Sequence, residues 1–102
     1  LNGEEHEATL RAANNYAASL NGLQRFQEAK SVLRKMMPVA RRVLREDDRL
    51  TLGMRRNYAI ALYKDGGATP DDLREAVTTL EDAARTARRV LGGAHPSTMG
   101  LE

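Results

Sequence analysis

Few residues in this chain are of types that carry chemistry, and their placement works against it. The 102 residues include no cysteine. That excludes disulfides, thiolate metal sites and thiol nucleophiles. His6 and His95 each stand without a partner at metal-ligand spacing, so a place at a helix start is the expected role for both. Asp47-Asp48 and Asp71-Asp72 are the residue types that acid–base catalysis uses in pairs. Each pair, however, opens an amphipathic stretch, where the positive end of a helix dipole favours carboxylates. Gly66-Gly67 and Gly92-Gly93 are not followed by the Lys-Ser/Thr of a phosphate loop and read as helix stops. No nucleophile–base pair or metal cluster can be assembled. The expectation is therefore a chain that is not an enzyme and needs no cofactor.

The charge is more distinctive in kind than in amount. The net charge is +2, carried by thirteen Arg and three Lys against 14 acidic residues. Arg34, Lys35, Arg41, Arg42 and Arg45 form one cluster, and Arg85, Arg88 and Arg89 another. Such clusters suit nucleic acid or an acidic protein. They also fall in the C-terminal halves of predicted helices, where cations meet the negative end of the dipole. With only four aromatic residues for base stacking, nucleic acid is the less favoured partner. No apolar run approaches the roughly 20 residues needed to cross a bilayer, and none resembles a signal peptide, so no membrane role is expected. Absence of cysteine fits the cytoplasm. The closing Leu101-Glu102 is of a kind that cloning leaves behind, which would make the chain an excised fragment.

The elements that would position these residues repeat. Asn14-Asn15-Tyr16-Ala17-Ala18-Ser19-Leu20 aligns with Arg56-Asn57-Tyr58-Ala59-Ile60-Ala61-Leu62 at an offset of 42. Further on, Glu28-Ala29, Leu33 and Arg41-Arg42-Val43-Leu44 match Glu75-Ala76, Leu80 and Arg88-Arg89-Val90-Leu91 at an offset of 47. Thr9, Thr51 and Thr98 follow the same two offsets, and His6 recurs as His95. The five extra residues lie between Leu62 and Glu75, in a turn-forming stretch, and are expected to lengthen a loop while leaving both helices intact.

Each unit reads as two helices. The first pair is expected at about 5–20 and 26–45, with Asn21-Gly22 ending its first helix. The second pair is expected at about 48–64 and 70–91, with Thr69 as N-cap and Pro70 at the first helical position. Ala29, Val32, Leu33, Met36, Ala40, Val43 and Leu44 recur at helical spacing, as do Leu73, Ala76, Val77, Leu80, Ala83, Ala84 and Ala87. Met36, Met37, Met54 and Met99 read as core fillers. Pro38 interrupts an otherwise helical stripe. The stripe continues in phase past it, which predicts one continuous helix kinked near 34–38.

These aligned residues resemble tetratricopeptide repeats, in particular the roughly 42-residue kind found in kinesin light chains. The points of resemblance are Thr9-Leu10, Asn14-Asn15-Tyr16-Ala17 and Leu20, Glu28-Ala29 and Arg41-Arg42-Val43-Leu44. Unit two offers Thr51-Leu52, Asn57-Tyr58-Ala59, Leu62, Glu75-Ala76 and Arg88-Arg89-Val90-Leu91-Gly92. His95-Pro96-Ser97-Thr98 looks like the opening of a third unit. The His-Pro opening is irregular: His6-Glu7 stands at unit one and Asp48-Arg49 at unit two. The resemblance implies an all-α solenoid of antiparallel helix pairs in one domain, 1–102. Its units would lie at about 5–46 and 48–92, with a stub at 93–102.

The resemblance also implies that the first helix of each pair lines a concave face that binds a protein or peptide. On that pattern the face includes Arg11, Asn14, Asn15, Ala18, Asn21, Arg56, Asn57, Ile60 and Tyr63. Arginines there would pair with acidic side chains or a terminal carboxylate. The asparagines would either bind a peptide backbone or bond neighbouring helices together. Two hairpins leave apolar faces at both ends, so a homodimer or end-to-end self-association is expected of the isolated chain.

Overall fold

The computed structural model describes residues 3–45 and 48–91. They form four helices: α1 (Gly3–Gly22), α2 (Phe26–Val43), α3 (Arg49–Lys64) and α4 (Pro70–Leu91). The order is two hairpins, α1–α2 and α3–α4, stacked through α2 and α3. The first helices of the two hairpins, α1 and α3, also touch, whereas α2 and α4 do not pack on one another. The layer is thus tighter on the α1/α3 side and splayed on the α2/α4 side, which makes the α1/α3 side the inner one.

The core follows the α2 stripe, whereas Leu73, Val77 and Leu80 of the α4 stripe are exposed. Leu10, Ala17 and Leu20 of α1 meet Ala29, Leu33 and Ala40 of α2. Met54, Tyr58, Ala59, Ala61 and Leu62 place α3 at the centre of the stack. Ala17 and Ala59 are fully buried, so the small residue shared by both units is where helices approach closely. Of the expected methionine fillers, Met54 is fully buried and Met36 and Met37 are half-buried; Met99 lies outside the described residues, as do Gly92-Gly93 and the third-unit stub. The recurring threonine has a local reason in unit two, where Thr51 Oγ1 donates to the Arg45 carbonyl (3.0 Å) and ties the helix to the turn before it.

Several boundaries differ from the sequence expectation. The helix α1 runs from Gly3 to Gly22, two residues past the expected Leu20, with Asn21-Gly22 as its last helical residues and Gln24 (φ 62°) in the left-handed region. The Arg25 amide closes the turn onto the Leu20 carbonyl (2.8 Å). A non-glycine residue held at positive φ costs on the order of 1 kcal/mol. Gln24→Gly is therefore expected to raise stability by about 0.5–1 kcal/mol, read as a higher urea midpoint at unchanged slope. A lower midpoint would show that the Gln24 side chain contributes more than its backbone strain removes. The helix α2 ends at Val43, two residues early, where Leu44 turns extended after donating to the Ala40 carbonyl (2.7 Å).

The five inserted residues do not all enter the loop. The α1–α2 connection comprises 23–25 and the α3–α4 connection 65–69, while Pro70, Asp71 and Asp72 add a first turn to α4 that α2 lacks. That turn is stabilised by a reciprocal capping box. The Asp72 amide donates to Thr69 Oγ1 (3.1 Å), and the Thr69 amide donates to Asp72 Oδ2 (3.0 Å). The Thr69 amide holds the Asp72 carboxyl below the usual carboxylate range. Its contribution is present above the ordinary carboxylate pKa and is lost as pH falls through the depressed value. Asp72→Asn should flatten part of the loss of stability between about pH 6 and about pH 2.5, measured by denaturation at both. Equal slopes in the two proteins would remove the cap from the acid response.

Asp48 caps α3 by accepting from the Leu50 amide (2.8 Å); Asp47 lies outside the described residues. Pro38 sits inside a continuous α2, with its ring exposed, so the helix is not broken in two.

Candidate interaction surfaces

The inner face divides the sequence-predicted residues into two groups. Asn57 Nδ2 donates to Asn14 Oδ1 (2.8 Å), and Asn21 Nδ2 donates to the Asn57 carbonyl (3.0 Å). These three asparagines bond α1 to α3. Asn15, the sequence equivalent of Asn57, is exposed, with no preceding helix among the described residues to receive it. Arg11, Ala18, Arg56 and Tyr63 are exposed and Ile60 is half-buried. Arg11 makes an exposed ion pair with Glu7 (2.7 Å), one turn away on the same helix. Where α1 meets the start of α3, Arg11, Asn14, Asp48, Arg49 and Leu50 line a shallow hollow of about 310 Å³.

The stack itself is organised by a residue that the sequence marked only as part of the repeat. Tyr58 is 6% exposed. Its hydroxyl donates to Glu75 Oε2 of α4 (2.7 Å) and accepts from Arg34 Nε of α2 (3.1 Å). The Arg34 guanidinium also lies 5.8 Å from the ring centroid, a cation–π contact. Burial pushes the phenol pKa up, and the bond to Tyr58 pushes Arg34 up. Beside this link, Lys30 Nζ reaches Asp65 Oδ2 (3.3 Å), and Gln27 bonds the same carboxylate. Asp65 is held below the usual carboxylate range, first by the Gly67 amide and then by Lys30 and Gln27.

The two arginine clusters converge on the opposite side. Arg41 of α2 and Arg85 and Arg89 of α4 line a cleft of about 400 Å³ whose floor is α3, with Arg55 buried there and Glu75 and Asp82 among them. Arg85 is paired with Asp82 (3.0 Å). Sequence reading placed these arginines at helix ends and missed that two ends face one another, since that depends on how the hairpins stack. Arg55 carried no signal beyond its position on the buried stripe. Among the described residues no group of three His, Asp or Glu could hold a metal, and no helix is long and apolar enough to cross a membrane. His6 lies half-buried near the start of α1, and His95 is outside the described residues.

Stacked two-helix units with a tight inner layer, a shared alanine at the close contact and motif residues recurring between units define a helical-repeat interaction scaffold. Residues 9–49 match the tetratricopeptide repeat family, and α3 and α4 repeat the same motif residues and packing. No curated protein and no solved structure gives a significant match.

Proposed function

We propose that the chain is a non-catalytic scaffold that holds an extended, acidic segment of a partner protein along the inner face of α1 and α3. It would be of the longer, kinesin-light-chain-like kind, as the 42-residue spacing of its first-helix motifs suggests. The supporting observation is the division of labour on that face. Asn14, Asn21 and Asn57 are consumed in bonding α1 to α3, while Arg11, Arg49 and Arg56 stay exposed beside Asn15 and Tyr63. What remains for a partner is thus cationic. The link from Arg11 to Glu7 is solvent-exposed and of the class that contributes under about 1 kcal/mol, so an incoming carboxylate displaces it readily. Arg forms paired bonds to carboxylates, and Asn can both donate to and accept from a peptide backbone.

The test is titration of a fluorescent, Glu-rich extended peptide into the chain and into the Arg11→Ala/Arg56→Ala variant. The expected result is at least tenfold weaker binding by the variant, and no change with Arg85→Ala/Arg89→Ala. Equal loss with the second pair moves the site to the outer cleft.

That cleft supports the second reading, an outer-side nucleic-acid contact, because Arg41, Arg85 and Arg89 gather there. Binding of a generic RNA that falls steeply with salt but persists at physiological salt would favour it.

A further inference from the structure

We propose that the chain self-assembles head to tail, the outer face of α4 in one copy seating on the free face of α1 in the next. This inference does not depend on the inner-face reading. It rests on the α2–α3 junction, which is one complete instance of how such faces meet. By repeat register, α4 stands to a following copy as α2 stands to α3, and α1 stands to a preceding copy as α3 stands to α2.

The free faces are apolar where that template is covered. Leu33 of α2 is fully buried, while its equivalent Leu80 is 37% exposed. Tyr58 is 6% exposed, while its equivalent Tyr16 is 54% exposed. Leu23 at the end of α1 and Leu73 and Val77 on α4 are also exposed, at 66%, 45% and 55%. All the exposed large hydrophobic residues of the described chain except Tyr63 therefore lie on these two faces.

The faces also match pair by pair. In the junction, Lys30 of α2 meets Asp65, the residue that follows α3. Their equivalents are Val77 of α4 and Leu23, the residue that follows α1. Both members of an ion pair have become apolar, so a head-to-tail contact buries Val77 on Leu23 and strands no charge. One turn further, Arg34 Nε of α2 donates to the Tyr58 hydroxyl of α3 (3.1 Å). Their equivalents are Glu81 and Tyr16, so the bond is kept with its direction reversed, the phenol donating to the carboxylate. A single face could be apolar for any partner. Two pairs that stay matched fit the two ends of this chain to each other. Because the two faces differ, the contact is heterologous and lengthens into an open stack.

The experiment is sedimentation or light scattering across a concentration series, with circular dichroism to confirm helicity. The native chain is expected to grow beyond a dimer as concentration rises. Leu23→Asp and Val77→Lys alone should each weaken association at least tenfold. Combined in one chain, they rebuild the Lys30–Asp65 pair across the contact. The double variant should associate again, now more weakly as salt rises. Both substitutions copy residues that the fold already carries at the equivalent positions. A native chain that stays monomeric at all concentrations overturns the proposal; the faces then serve repeats of another protein. So does a closed dimer sensitive to Val77→Lys and indifferent to Leu23→Asp, which would mean that α4 pairs with itself.

Discussion

Tyr58→Ala is expected to cost about 3 kcal/mol or more, while the same change at Tyr16, its equivalent in the repeat, costs about 1 kcal/mol or less in the dilute monomer. The two tyrosines stand in near-identical local sequence, on helices of the same kind. Tyr58 is enclosed by α2 and α4, and its loss opens a cavity and leaves Glu75 and Arg34 facing a gap. Tyr16 has solvent where Tyr58 has α2. Urea denaturation of both variants measures the contrast. Equal costs would mean that the stacking of the hairpins is not as described. Tyr58→Ala removes much of the stability such a small chain can have, so Tyr58→Phe provides the milder measurement. It loses only the hydroxyl bonds, worth on the order of 1 kcal/mol. It should also change the alkaline limit. The phenol pKa is raised, so its contribution is present below the ordinary phenol range and is lost as pH rises through the raised value. The phenylalanine variant lacks that loss.

Pro38→Ala is expected to stabilise the chain, by about 1–3 kcal/mol. An interior proline removes the amide that would bond the Arg34 carbonyl and crowds the preceding turn. The ring is exposed, so little packing is lost with it. In α4 the equivalent position holds Arg85, within an unbroken helix. Part of the gain is offset because alanine frees the unfolded chain more than proline does. The measurement is the shift in urea midpoint. A destabilised variant would mean that α2 needs the proline to follow the curvature of α3.

The helices were legible because their signals are local. The seven-position stripe around Leu33 carried α2 through Pro38, and Thr69, Pro70 and Asp72 marked the start of α4 to the residue. The errors were also local, at places where alternatives differ by little energy. Asn21-Gly22 looked like the residues beyond the helix, yet they are its last two, and the left-handed turn falls at Gln24. The inserted residues looked like loop, yet three of them form a capped helical turn. The candidate site was read less well. Asn15 and Asn57 are indistinguishable in sequence, and only Asn57 has a neighbouring helix to bond.

The sequence by itself determined that there are two hairpins, in what register they repeat and which positions form the stripes of α2 and α4. Spacing, caps and turn residues act within a few positions, so no knowledge of the fold is needed to read them. Only the tertiary structure decided which of two equal residues is buried, which asparagines are consumed, and that two arginine clusters share one cleft. Burial and pairing belong to what lies across from a side chain. Across from α3 lie α2 and α4, and the free faces of α1 and α4 have no helix of this chain, among its described residues, to meet.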